Sequence, residues 1–140
     1  MLKQIQEELV VRTEKRGLYS ITDSVQASVQ RGGMAQGLAV LHLQHTSASL
    51  LIQENADPDV QVDLDRFFER LVPDGDHLFI HTAEGDDDMP AHIRTALTSV
   101  NLCVPFTRGV LALGAWQGIY LWEHRIRPHR RRIIIHLLGE

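Results

Sequence analysis

The sequence predicts an α+β domain with two to three helices. Three observations carry this reading. The 140 residues, 44% of them hydrophobic, suit one compact domain with its own core, here residues 1–140. Apolar residues recur at helical spacing in separate stretches, each opened by a capping residue or a proline. From Leu102 onward the chain reads as strands and turns throughout.

Leu2 to Val11 sets Ile5, Leu9 and Val11 among charged residues and ends in a β-branched pair, which predicts a strand. Gly17 breaks it, and Tyr19 to Thr22 forms a short apolar piece. Thr22 or Asp23 can cap a helix running to about Gln30, and Gly32 and Gly33 end that helix. From Gly37 the run L-A-V-L-H-L-Q-H alternates, with Ala39, Leu41, Leu43 and His45 on one face of a strand. Thr46 to Ile52 is a second strand-like run. Pro58 then opens the clearest helix, where Val60, Leu64, Phe67, Phe68 and Leu71 share a face. After a turn at Pro73-Asp74-Gly75-Asp76, His77 to Thr82 reads as a short strand delivering His81. Pro90 opens another helix with Met89, Ile93, Leu97 and Val100 as its buried stripe, and His92 one step off it. Leu102 to Phe106 and Val110 to Ala115 flank Thr107-Arg108-Gly109 as a hairpin. Ile119 to Ile126 continues after a glycine-marked interruption, so Gln117 and Glu123 would face the same side of a regular strand. Arg131 to Leu138 closes the chain as a strand buried on both faces or at a subunit contact.

Fourteen Lys and Arg against 18 Asp and Glu give a net charge of −4, which argues against general nucleic-acid binding. The charge is uneven. His124 to Arg132 holds five arginines and no acid, a local field able to hold a phosphate. Cys103 is the single cysteine, so no internal disulfide forms, and its apolar run predicts a buried, inert thiol. No signal-peptide core and no membrane-length apolar run is present, which predicts a cytoplasmic protein with no membrane partner.

Chemistry concentrates between His81 and His92, where H-T-A-E-G-D-D-D-M-P-A-H packs two imidazoles, Glu84 and three aspartates into 12 residues. His45, in H-T-S-A-S, adds a third imidazole. Imidazole nitrogens with a carboxylate are the ligand set of an open, catalytic divalent-metal site, zinc first and manganese or magnesium next. The spacing matches no compact zinc motif, and two bland readings compete with it. Gly85 to Asp88 can be a solvated loop, and Asp87 and Asp88 favour a following helix dipole. Trp116 and Trp122 read as packing residues rather than a stacking platform. Ser47 and Ser49 lack the nucleophile elbow of a serine hydrolase.

Taken together, H-T-S-A-S-L-L-I-Q-E-N-A-D-P-D-V, H-x-x-E-G-D-D-D-M-P-A-H-I and L-A-L-G-A-W-Q-G-I-Y-L-W-E-H-R resemble the YjbQ-type, or secondary thiamine-phosphate synthase-like, family. The resemblance runs from about His42 to Glu140. It implies a two-sheet antiparallel β-sandwich with helices, assembled as a homotrimer, with a histidine-rich pocket near a subunit boundary that can hold a metal. Carried over residue by residue, the metal ligands are His45, His81 and His92. The amide of the family's G-T-W-Q motif falls on Gln117, the following acid on Glu123, and the closing arginines on Arg131 and Arg132. This chain has Ala115 where the family usually has threonine.

Two function classes follow. One is a metal-dependent enzyme acting on phosphorylated small molecules, with a weak thiamine-phosphate synthase activity that joins a pyrimidine pyrophosphate to a thiazole phosphate and releases pyrophosphate. Here Glu84 or Glu123 serves as base, Gln117, Asn55 and Ser49 position substrate, and Arg131 with Arg132 clamps phosphate. The other is a non-catalytic protein that binds or senses a phosphorylated metabolite or a metal with the same arginines and histidines. A third reading makes Arg125 to Arg132 an intersubunit ion-pair strip facing Asp86 to Asp88 of a neighbouring copy.

Overall fold

Two antiparallel sheets face each other in the computed structural model, which describes residues 1–140. The larger sheet contains β1 (Lys3–Thr13), β8 (His129–Gly139), β3 (Gln36–Leu43), β5 (Asn101–Thr107) and β6 (Val110–Leu111), in that spatial order. The smaller contains β2 (Gly17–Ser20), β7 (Gln117–Glu123) and β4 (Ala48–Glu54). Three helices complete the chain: α1 (Thr22–Gly32), α2 (Pro58–Leu71) and α3 (Asp88–Leu97). No helix is long and apolar enough to cross a membrane.

Period-two alternation builds the core. Ala39, Leu41 and Leu43 of β3 point inward with Val104 and Phe106 of β5 and Ile133, Ile135 and Leu137 of β8. They meet Ala48 and Leu50 of β4, Ile119 and Leu121 of β7, and Val25 and Val29 of α1. At one corner the sheets are tied by Leu50 N–H donating to Ser99 O at 2.7 Å and Leu43 N–H to Val100 O at 2.8 Å. Gly37 and Gly139 are register partners across β3 and β8, and a Cβ on either would lie 2.2 Å from a backbone oxygen, so only glycine closes this pair. Gly33, with φ 64°, provides the left-handed turn that ends α1.

Several local expectations are corrected. Residues 77–82 form no strand, because no sheet edge lies beside them. The alternation survives without a partner, leaving Leu78 and Ile80 outward, Ile80 at 99% exposure. α2 forms where its period predicted, yet it buries none of its residues fully, and Phe67 and Leu71 stand about half exposed. The inner face of α3 is Asp88, Ala91 and Arg94 rather than Met89, Ile93 and Leu97, since ionic and hydrogen-bonding partners await the two charged residues inside. Cys103 is exposed, on the outward side of β5 between inward Val104 and Leu102 positions. β8 buries one face and half-buries the other, as the central strand of a one-sided sandwich. Trp122 is buried and Trp116 exposed.

Candidate metal centre

The acidic loop delivers its last aspartate to the first position of α3, and there Asp88 is fully buried. One helical turn later His92 lies on the same face, the neighbour relation of residues four apart. His81 arrives from the irregular stretch before the helix. Its Nε2 lies 2.7 Å from Asp88 Oδ2, and His92 Nε2 lies 3.1 Å from the same oxygen. One ligand atom from each of the three residues falls within 4.8 Å of the others.

The tautomer of His92 decides what this group wants. Its Nδ1 is 2.8 Å from Thr46 O, and a carbonyl only accepts, so Nδ1 carries the proton. In its neutral form the ring then turns its Nε2 lone pair towards the Asp88 carboxylate. Two acceptors at that distance repel unless the ring takes a second proton or a cation lies between them. The donor set fits a divalent cation with open positions, and the Thr46 carbonyl is the outer partner that fixes a ligating imidazole.

Arg125 holds the carboxylate side. Its Nη1 donates to Asp88 Oδ1 at 2.6 Å, its Nε to Asp87 Oδ2 at 2.9 Å and its Nη2 to Glu84 O at 2.9 Å. Asp87 Oδ2 also accepts the Ile126 N–H at 2.9 Å. Burial pushes the Asp88 carboxyl up, but the His81 hydrogen bond, the Arg125 charge and His92 together hold it below the usual range. Burial likewise opposes Asp87, where the Ile126 N–H and Arg125 prevail and lower it. Arg125 is disfavoured by burial and raised on balance by Asp87, Asp88 and Glu84.

The remaining sequence-predicted residues fall into two places. His45 stands outside the three-residue group. Its Nε2 accepts the Arg132 N–H at 2.8 Å and its Nδ1 lies 3.4 Å from Arg131 Nη1. Burial and the Arg131 charge push its imidazole down, so it stays an acceptor. Arg131 is itself buried, with Nε and Nη2 on Glu123 and Nη2 also on Ser47 O and Oγ. Glu123 is fully buried and takes further hydrogen bonds from Thr13 Oγ1 and the Arg125 N–H. Neither its carboxylate nor the Arg131 guanidinium meets solvent. Arg132, by contrast, leaves 58% of its side chain exposed. Glu84 is 64% exposed at the loop surface, 3.9 Å from Arg125. Asn55 and Gln117 come together at the opposite end of β4 and β7, where Asn55 Nδ2 donates to Gln117 O at 3.2 Å and Gln117 Oε1 accepts the Gly114 N–H. Six residues of strand, about 20 Å, separate Gln117 from Glu123.

Ser49 and His124 make a sealed pair, Oγ to Nε2 at 2.8 Å, with neither exposed and no partner on His124 Nδ1. Without access or an orienting acid it is no nucleophile. Burial, then the charges of Arg94, Arg16 and Arg131, pushes His124 down to about 3. The unfolded chain takes this proton near 6.5 and the fold refuses it, so stability falls as pH drops from 6.5 towards 3, by about 1.4 kcal/mol per unit. His45, also lowered, adds in the same direction. Urea midpoints at pH 7.5 and 5 are expected to differ clearly in the parent and much less in His124→Gln. Equal pH dependence in both proteins would refute the assignment.

Sequence reading gives Asp88 only to an acidic loop and helix dipole and Arg125 only to an intersubunit strip facing a neighbour's aspartates, whereas Arg125 meets Asp87 and Asp88 of its own chain; it does not single out Thr46. The signal available for the first was Asp88-x-x-x-His92 across a helix start marked by Pro90, one turn apart.

Fold and site together define a small two-sheet α+β protein with a His-Asp-His group at a helix start. The family model described as UPF0047 protein YjbQ-like matches residues 7–140, and the chain belongs to this family. A UPF0047 protein of Synechocystis is 51% identical over 138 residues, spanning 99% of this chain and 94% of that protein. The UPF0047 protein YjbQ of Escherichia coli O157:H7 is 44% identical over 138 residues, covering 96% and 98%. Among solved structures, a yjbq/upf0047 family protein from Clostridium acetobutylicum has a TM-score of 0.81 at 32% identity, covering 95% of this chain and 98% of that one. A YbjQ-like protein of unknown function from Sulfolobus solfataricus has a TM-score of 0.91 at 23% identity over the whole of both chains, a likeness of fold alone.

Proposed function

We propose that His81, Asp88 and His92 hold a divalent metal ion, zinc first and manganese or magnesium next, and that the protein acts there on phosphorylated small molecules. The observation that carries this reading is the convergence of His81 Nε2, His92 Nε2 and the Asp88 carboxylate within 4.8 Å of one another, with the other nitrogen of His92 held by Thr46 O. When bound, such an ion polarises a phosphoryl oxygen and activates water. Asp88 and the two imidazoles hold it, Arg125 fixes the carboxylate, and Thr46 O fixes one ring. Glu84 is the exposed carboxylate available to take a proton at this end of the molecule. Arg132, 58% exposed and held only by a long 3.9 Å ion pair with Glu8, is the arginine proposed to meet a phosphate by forked hydrogen bonds, its backbone pinned by His45 next to Thr46. Thiamine-phosphate synthesis from a pyrimidine pyrophosphate and a thiazole phosphate is one reaction of this class, and pyrophosphate release is its assay.

A binding protein without turnover is the second reading. What favours it is the cavity of about 270 Å3 beside His81, lined by Asp76, Asp86, His77 and Phe79 and by no lysine or arginine. Such a field gathers cations rather than phosphates. The homotrimer belongs to the same proposal, since Phe67, Leu71, Leu78 and Ile80 leave apolar surface for a neighbour to cover; solution mass tests it.

Metal analysis of the purified protein beside a His81→Ala/His92→Ala variant is the direct test. Stoichiometric metal in the parent and none in a folded variant is expected. No metal in either after soaking with zinc or manganese sinks the proposal. Metal without turnover of any phosphorylated substrate, unchanged by Glu84→Gln, leaves the binding reading.

A further inference from the structure

We infer a second site, for the phosphate group of a small molecule, at the corner where the end of β1 meets the start of β8. It is formed by Arg12, Arg130 and His129, apart from the metal centre. Register is the first observation. Arg12 lies directly opposite Arg130 in the antiparallel pair, and Val10 opposite Arg132, so three arginines share one face of the sheet edge. Like charges directly opposite each other destabilise a sheet, so local stability does not explain Arg12 facing Arg130.

Pairing is the second observation. Five arginines lie within ion-pair distance of a carboxylate: Arg16 with Asp74, Arg31 with Glu7, Arg125 with Asp87 and Asp88, Arg131 with Glu123, and Arg132 with Glu8 at 3.9 Å. Among the arginines without one, Arg12 and Arg130 stand out by lying directly opposite each other in a strand pair. Arg12 and Arg130 have no carboxylate within ion-pair distance and no side-chain hydrogen bond, in a chain with 18 acids to choose from. Two unmatched guanidinium groups side by side present two forks to a single anion.

Space is the third. A cavity of about 260 Å3 opens between them, lined by Arg12, Thr13, Glu14, Pro128, His129 and Arg130. Apart from the Pro128 ring its lining is polar or charged, which selects a small, highly charged ligand over a hydrophobic one. The His129 ring is held in place, its Nδ1 donating to Arg127 O at 2.7 Å and its backbone N–H to Thr13 Oγ1 at 3.2 Å, which leaves Nε2 without a protein partner. Glu14 is the one acid on the lining, and it sets the sign of an independent test.

Calorimetric titration of the full-length protein with inorganic phosphate and pyrophosphate, with and without chelator, reads the site separately from the metal centre. Saturable binding that survives the chelator is expected, tighter for pyrophosphate and weakened by salt. Arg12→Gln/Arg130→Gln should weaken it by about tenfold or more, and Glu14→Gln should strengthen it severalfold. Relief of the Arg12–Arg130 repulsion should leave the urea midpoint of the double variant unchanged or higher, so lost binding would not be lost fold. No saturable binding to the parent, or binding abolished by Arg132→Gln and indifferent to Arg12→Gln/Arg130→Gln, overturns the inference. Binding that disappears with chelator places the anion on the metal instead and overturns it equally, while leaving the metal reading intact.

Discussion

Arg131→Met is expected to destabilise the fold by about 3–5 kcal/mol, because it strands a buried carboxylate. Glu123 is fully enclosed and receives Arg131 Nε and Nη2, Thr13 Oγ1 and the Arg125 N–H. Removing the guanidinium takes away the only full positive charge among those donors and opens Ser47 O and Oγ as well. The chain must then protonate Glu123 or let water in. Replacing both partners with apolar residues of similar volume, Glu123→Leu/Arg131→Met, is expected to cost much less than the single change, since no uncompensated charge remains. Urea unfolding of the two variants separates these outcomes. If the double variant is as damaged as Arg131→Met, the pair is not the origin of the effect. The same burial removes Glu123 from the candidate bases in this chain and removes Arg131 from the phosphate clamp, so loss of activity in either variant is to be read first as loss of fold.

Arg125→Gln is expected to weaken metal binding by about 10-fold to 100-fold, the usual scale for partners that orient a ligand. The carboxylate of Asp88 faces the two imidazoles with Oδ2 while Arg125 holds Oδ1, so the arginine sets which oxygen is presented. It also joins Asp87 and the Glu84 carbonyl to the same anchor, fixing the loop that carries His81. Arg125→Lys keeps a charge and loses the three-way fork, and should fall between the parent and the glutamine variant. Competition titration with zinc and a chromogenic chelator measures this directly. Arg127→Gln, two residues on and exposed, is the control. Equal affinities for the parent and Arg125→Gln would mean that Asp88 orients itself unaided.

The strands of the larger sheet were legible because alternation is a local property: Ala39, Leu41 and Leu43 point inward, and so do Ile133, Ile135 and Leu137. The hairpin turn at Arg108 and Gly109 was legible, and both residues adopt the positive φ it requires, but its second strand is only Val110–Leu111 and not the Val110 to Ala115 expected. Pairing is not local. His77 to Thr82 alternates as well as a strand does, and nothing in those residues says that no edge will be beside them. The inward face of α3 was misread because hydropathy counts Asp88 and Arg94 as solvent-facing, whereas Arg125 and the Val72 carbonyl meet them inside. His45, expected on the buried face of β3, lies two residues past the end of that strand at Leu43, only partly buried and outside the donor group. Its nitrogens are claimed by Arg131 and Arg132, 86 and 87 residues away. Asp88 was hidden by its neighbours, since three aspartates in a row give hydropathy no means of choosing the one that turns inward.

Asp88 and His92 owe their separation to helix pitch, while His81 sits on a stretch that contributes nothing to the core and keeps Ile80 almost wholly in water. Two donors are thus inherited with the architecture, and the third is open to drift. Substitution or a change of length around residues 77–83 can replace that donor or shift it, and so would alter the metal preference of the proposed centre in chains that keep the same sandwich.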